Sequence, residues 1–259
     1  MVPSPVGSAE RHRQEGRTGS HQHASQAALP MGADKAKLVR QMFDTIARRY
    51  ETLNTVMTFG MDRGWRRRCV QALGLQPGAH VLDVACGTGD LCRELARQRM
   101  RATGLDLSSE MLRYARTPAP LVLGDALAAP FKDGAFDGAV SGFALRNMVD
   151  LGDLFAELAR LVRPDGRLAL LDMSVPDNPL LRAGHRLWCS YGVPTLGAAL
   201  SDRAAYRYLP RSLVYLPPPE GIAERLEMAG FAAVEREPLS GGVCQLYTAS
   251  RRPRPRRWS

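Results

Sequence analysis

The stretch that most constrains this chain is Val81-Leu82-Asp83-Val84-Ala85-Cys86-Gly87-Thr88-Gly89-Asp90. A short apolar run, His80–Ala85, stops at a G-x-G turn, and residues 90–99 then follow a helical pattern. A strand that feeds a glycine turn and a helix opens a crossover unit of a parallel sheet. Further strand-like runs fall at 101–105, 121–123, 136–143 and 167–173, the last entered through Pro164-Asp165-Gly166. Between them lie a helix begun by Ser108, with Glu110 in its first turn, and another over 150–162. A helix at 219–229 and strands at 232–237 and 243–249 complete the pattern. The prediction is an α/β, doubly wound, mostly parallel seven-stranded sheet of Rossmann-like type. Helices at 35–50 and 62–73 supply an N-terminal helical segment. The segment 177–218 interrupts the alternation and is read as an inserted cap.

Composition bounds the alternatives. No run approaches the ~18 apolar residues of a spanning helix, and the first thirty residues have arginines but no apolar core of a secretion signal. The five cysteines form an odd set without C-x-x-C spacing, so neither a disulfide framework nor a metal site is predicted and the expected location is cytoplasmic. The net charge of +9 is concentrated in residues 251–259, which carry five arginines and no acid. That tail can meet phosphates or an anionic membrane face without being a specific nucleic-acid site. Residues 1–34, rich in Ser, Gly, His and Gln, read as a disordered tail ahead of a single domain over 35–250.

The glycine turn admits two cofactors. Asp106 ends the next strand 19 residues after Gly87, where a carboxylate accepts from ribose hydroxyls. A dinucleotide site requires a third glycine, and Cys92 stands in that register. Asp83 and Asp90 flank the turn; carboxylates there repel a pyrophosphate and suit an amino group and a sulfonium. Asp125 follows the third strand, placed to accept from an adenine amino group. Three acids at three successive strand ends favour S-adenosylmethionine over NAD. Taken singly, each aspartate could equally be a helix cap or turn former.

From about Lys35 to Tyr247 the chain resembles the ubiquinone/menaquinone biosynthesis C-methyltransferases, within the class I S-adenosylmethionine-dependent methyltransferases. The resemblance rests on Phe43-Asp44-x-Ile46-Ala47-x-x-Tyr50 with Asn54 and Phe59-Gly60, on Pro130-Phe131 and Phe136-Asp137, on Phe143-Ala144-Leu145-Arg146-Asn147, and on Tyr206-x-Tyr208-Leu209 with Ser212. It implies cofactor contacts from Thr88, Asp106, Asp125 and Ala126, beside Asp83, Gly87 and Gly89 of the turn. Gly142 stands where the family shows serine, so its contact would be through backbone. Glu51, Asp172-Met173-Ser174 and Tyr247 also depart from the family pattern. The implied reaction methylates a ring carbon of a prenylated hydroquinone, demethylmenaquinol to menaquinol in type. A small aromatic or polyketide-like acceptor, a cofactor-binding protein without activity and a basic nucleic-acid module are the alternatives.

A ring carbon becomes nucleophilic when the adjacent hydroxyl ionises, and a phenol titrates near 10. Arg146 is the candidate for stabilising that phenolate and Asn147 for orienting the hydroxyl. Tyr50, Asp44, Asp172, His185 and water are open as proton acceptor. In 178–191, Leu180, Leu181, Leu187, Trp188 and Tyr191 share one helical face, which fits either a lid over the site or a helix lying on a membrane at the inner face of the cell. Oligomeric state is left open.

Overall fold

The computed structural model describes residues 31–193, 195 and 212–253. Seven strands form one sheet: β1 (His80–Val84), β2 (Arg101–Asp106), β3 (Leu121–Leu123), β4 (Phe136–Gly142), β5 (Val162–Met173), β6 (Phe231–Leu239) and β7 (Cys244–Arg251). Their order is β3-β2-β1-β4-β5-β7-β6; β1 to β5 run parallel and β7 is antiparallel to both neighbours. The doubly wound, mostly parallel sheet is therefore as predicted. Helices α1 (Gly32–Ile46), α2 (Tyr50–Met57) and α3 (Met61–Ala72) precede it. α4 (Asp90–Arg97), α5 (Ser109–Arg113), α6 (Leu151–Leu161), α7 (Pro179–Leu187) and α8 (Pro219–Met228) lie between or after strands.

Alternation along the strands builds two cores, one on each face. Val81, Val140, Ala169 and Leu171 face Trp65, Cys69 and Val70 of α3 and Leu91, Cys92 and Leu95 of α4. Leu82, Val84, Ala139, Leu168 and Leu170 face Phe155 and Leu158 of α6 and Ile222 and Leu226 of α8. Central strands covered on both sides must be apolar on both, which is why these segments read as continuous apolar runs. A third, smaller cluster joins Met42, Ile46 and Leu53 to Val193, with Tyr50 and Trp188 packed on it, and ties the N-terminal helices to the far end of α7.

Several predicted boundaries move. The N-terminal helix starts at Gly32, so Gly32–Asp34 belong to it and not to a tail. It breaks after Ile46 into a 3-10 turn and resumes as α2, an element absent from the prediction. Pro164-Asp165-Gly166 is a bulge inside β5 and not a turn before it: β5 already pairs with β4 through Phe136 and Val162, and the register slips before Gly138. A side chain at Gly166 would meet the Asp137 and Arg163 carbonyl oxygens at 2.7 and 2.8 Å. The predicted cap at Ser108 holds, and Asn178 caps α7 as well. Ser108 Oγ accepts from Met111 N–H at 3.0 Å, and Asn178 Oδ1 accepts from Leu180 and Leu181 N–H. The tail residues 1–30 and 254–259, and Tyr206, Tyr208 and Leu209 of the family motif, lie outside the described residues.

Phe155 is completely buried between α6 and the sheet. Phe155→Ala is expected to cost about 3–5 kcal/mol of stability, read as a lowered urea midpoint with an unchanged slope.

Candidate active site

Strand order reverses between β1 and β4, so the connections leaving their carboxyl ends diverge and open a crevice, the usual ligand site of such sheets. Two non-glycine residues leave these two strands with left-handed backbone, Ala85 (φ 55°) and Phe143 (φ 63°). Such conformations are held only where surrounding structure enforces them, and they gather at functional sites. Gly87 (φ 55°) and Gly89 (φ 83°) continue the β1 turn into α4.

The first cavity lies over this turn. Gly87, Asp106, Ser108, Met111, Asp125, Ala126, Gly142 and Asn147 line it from the sheet side. Val39, Arg40 and Phe43 of α1 and Tyr50 of α2 line it from above. Asp106 Oδ2 accepts from Gly87 N–H at 2.7 Å and Oδ1 from Ser108 N–H at 2.8 Å, which fixes the carboxylate in the wall. Burial, the larger effect, pushes the Asp106 carboxyl above its usual range against these hydrogen bonds. Asp125 Oδ1 accepts from Leu127 N–H at 2.9 Å and holds its own loop the same way. Gly87 holds a left-handed φ that favours glycine, and a Cβ there would press on Met111 Cε at 3.0 Å.

Four predicted cofactor residues or turn acids are placed differently. Asp83 is buried beneath the turn, where its Oδ2 accepts from the Cys92 N–H at 3.1 Å and the Cys92 thiol at 3.2 Å. It anchors α4 to β1 and does not reach the cavity. Asp90 is taken by two guanidiniums: Arg66 Nη2 lies 3.0 Å from its Oδ2, and Arg93 bonds its Oδ1. The turn's negative charge is thus partly neutralised from below, and Asp106 and Asp125 carry the acidity of the cavity wall. Gly89 shapes the turn from outside the cavity; a Cβ there would strike Thr117 Cγ2 at 2.7 Å. Thr88 lies outside the lining of either cavity, buried beside the glycines with its Oγ1 unpartnered.

A second cavity of about 360 Å³ opens on the other side of Phe143, which walls both. Its lining is mostly apolar: Met57, Phe59, Met61 and Trp65 from α2, α3 and the turn between them, Met173 and Val243 from the sheet, and Leu180, Leu181 and Trp188 from the cap. Arg146 brings the fixed cation. It ion-pairs with Asp172, a carboxylate with no exposure at all, which also accepts from the Arg146 N–H at 3.1 Å and from the Met173 N–H at 2.7 Å. Asp172 is therefore spent on holding Arg146 and is no proton acceptor. Arg146 and Asn147, neighbours in sequence, are divided between the cavities, Arg146 lining the second and Asn147 the first. Burial raises the Tyr50 hydroxyl above the usual range, so it keeps its proton. Asp44 bonds the Ser108 hydroxyl at 2.5 Å and is likewise engaged.

Sequence reasoning missed two contributors. Asn54, quoted only as part of a motif, lines the second cavity with its Nδ2 unpartnered. Arg66 joins Asp62 to Asp90 and lies 5.2 Å from the Phe143 ring, linking α3, the glycine turn and the wall between the cavities. The i, i+4 spacing of Asp62 and Arg66 on one helix face was the available signal. In the cap, Leu180, Leu181 and Trp188 line the cavity, Trp188 Nε1 donates to the Met57 carbonyl at 3.2 Å, and Leu187 and Tyr191 stay exposed. Among the described residues, no cluster of His, Cys, Asp or Glu is arranged to hold a metal ion.

Sheet order, glycine turn and acidic strand ends define a class I S-adenosylmethionine-dependent methyltransferase. In keeping with this, phosphoethanolamine N-methyltransferase 2 of Haemonchus contortus, solved with S-adenosyl-L-methionine, superposes with a TM-score of 0.55 at 16% identity. The match covers 72% of this chain and 52% of that one. The model of the ubiE/COQ5 methyltransferase family matches residues 31–251, and the chain belongs to that family. Demethylmenaquinone methyltransferase of Desulfitobacterium hafniense is 38% identical over 236 residues, covering 86% of this chain and 93% of its own. The enzyme of the same name from Roseiflexus castenholzii is 40% identical over 233 residues, covering 86% and 98%.

Burial pushes the Asp83 carboxyl from its ordinary 3.8 up to about 7, opposed by the Cys92 hydrogen bonds and reinforced by Asp106 and Asp90. The folded chain then keeps a proton that the unfolded chain releases near pH 4. The Asp83 contribution to stability is complete below about pH 4 and declines as pH rises to about 7. Asp83→Asn is expected to flatten this decline by roughly 2–4 kcal/mol, measured by urea unfolding of the cofactor-free protein between pH 4.5 and 8.

Proposed function

We propose that this methyltransferase acts on a ring carbon of a prenylated hydroquinone, converting a demethylmenaquinol-type ring to its methylated form. The observation that carries the reading is an apolar cavity with one anchored guanidinium beside the cofactor cavity, Phe143 lining both. An apolar lining suits an aromatic ring, and Arg146 offers charge to an oxygen that becomes anionic. The names of the relatives support the same acceptor.

Asp106 would hold the ribose, Asp125 and Ala126 the adenine edge, and the Gly87 backbone the remainder of S-adenosylmethionine. Gly142 would contribute backbone only. When bound, the cofactor supplies an electrophilic methyl group on a sulfonium. The chain's own share is to exclude water from the ring, hold it against Phe143 and lower the cost of the phenolate through Arg146. Asn54 and Asn147 would orient polar groups on either side of that wall. Asp172 keeps the guanidinium fixed before the reaction begins, so no reorganisation is needed as charge develops.

At about 360 Å³ the second cavity is at the small end of ligand sites and takes a ring with little more. A prenyl tail must then leave through the rim, where Phe59 and Leu180 are 70% and 81% exposed and Leu187 and Tyr191 continue the apolar surface. We infer peripheral contact with an anionic membrane face at this rim, where the tail of the acceptor resides. No helix among the described residues is long and apolar enough to cross a membrane.

Mass spectrometry with labelled cofactor and a panel of reduced quinones is expected to show one added methyl on prenylated quinols; a product only from small, non-prenylated aromatics would replace the acceptor. Arg146→Lys keeps Asp172 paired and should slow turnover at least about tenfold, equivalent to ~1.4 kcal/mol, with cofactor affinity within twofold. In vesicle flotation, Leu180→Asp with Leu187→Asp should lower the bound fraction at least about fivefold, and deletion of 254–259 should weaken binding to anionic vesicles alone.

A further inference from the structure

We propose that His185 accepts the proton of the ring hydroxyl that Arg146 then stabilises as phenolate; the inference rests on the acceptor being a phenolic ring. His185 lies on α7 and lines the second cavity with Arg146. The other titratable groups facing this cavity are Asp62 from α3, Arg146 from the segment after β4 and Cys189 from the turn beyond α7. Each is unsuited to the task. Asp62 is buried, ion-paired with Arg66 and hydrogen-bonded by the Thr58 hydroxyl at 2.9 Å. Arg146 is a permanent cation. Burial pushes the Cys189 thiol up, so it keeps its proton.

His185 differs in both charge and chemistry. Burial lowers its imidazole below the usual 6.5, which leaves it neutral and able to accept at neutral pH. Its Nε2 lies 3.5 Å from Cys189 Sγ, one helical turn on. In the tautomer with the ring proton on Nδ1, the thiol donates to the Nε2 lone pair, and this is the form that can accept a proton there. A thiol is a weak donor, and a ring hydroxyl entering the cavity would displace it. The hydroxyl O–H bond breaks, its electron pair stays on oxygen, and its proton passes to Nε2. The resulting imidazolium returns the proton to water at the open rim. Arg146 on one wall and His185 on the opposing cap thus divide the labour, one fixed charge for the oxygen and one titrating nitrogen for its proton.

Wild-type kcat/KM for a prenylated quinol should rise with pH through an acid limb below 6.5. His185→Gln should fall about a hundredfold near pH 7, lose that limb and recover steadily toward the phenol value near 10. His185→Asn should behave alike. Unchanged cofactor affinity by calorimetry, at a cavity His185 does not touch, shows that either variant is folded. Without cofactor, adding 1-naphthol should raise the titration midpoint of the His185 ring signals in NMR by forming an imidazolium–naphtholate pair. Wild-type turnover with a His185→Gln profile that keeps its acid limb, or a His185 titration unmoved by bound naphthol, overturns the inference and spares the quinol reading. A wild type that methylates no quinol overturns the quinol reading and this inference with it.

Discussion

Parallel strands cannot be joined by tight turns, so each crossover must climb one face of the sheet and return. Between β1 and β4 the direction of winding changes, and no connection can cover the gap left above their carboxyl ends. The first cavity opens at that gap, and Phe143, beside it, lines the second cavity as well. The glycine turn rises from one side and the Phe143 segment from the other, both through residues in left-handed backbone. Their strain is held by the cores beneath, where Val84 packs on one face of the sheet and Cys86 and Phe143 on the other.

Charge inside this frame is paired before any ligand arrives. Asp172 fixes Arg146, Arg66 and Arg93 hold Asp90, and Asp83 is left to the Cys92 amide and thiol. Buried ion pairs contribute little net stability, because desolvation consumes most of the Coulombic gain. Their value here is orientation. An arginine that entered the cavity from a free loop would have to be ordered during the reaction, whereas this one is locked by a carboxylate at the end of β5.

Much of the fold was legible in sequence because the central strands are apolar on both faces and end at glycine or aspartate. Elements whose identity depends on tertiary packing were not. The Ile46 break and α2 lack a proline or glycine to announce them, and the β5 bulge looks like an ordinary Pro-Asp-Gly turn. At the site, Asp106 and Asp125 were readable from position alone, since strand ends dictate where they fall. Asp83 and Asp90 share the same spacing logic, yet their carboxylates turn inward, toward Cys92 and toward Arg66 and Arg93. Spacing along one segment gives no sign of a partner such as Arg66, which comes from a helix that precedes the sheet. The division of Arg146 from Asn147 was equally hidden, because adjacent residues on a 3-10 turn diverge by about a third of a revolution.

Phe143 gives the two cavities a common partition but separate builders. The first cavity is made largely by the sheet edge and its loops, with α1 and Tyr50 closing over it. The second is made chiefly by α2, α3 and α7, with Phe143, Arg146 and Met173 from the sheet side. α2 reaches both, through Tyr50 on the first side and Asn54 and Met57 on the second. A substitution on α3 or α7 therefore alters the lining of the second cavity and leaves that of the first as it was.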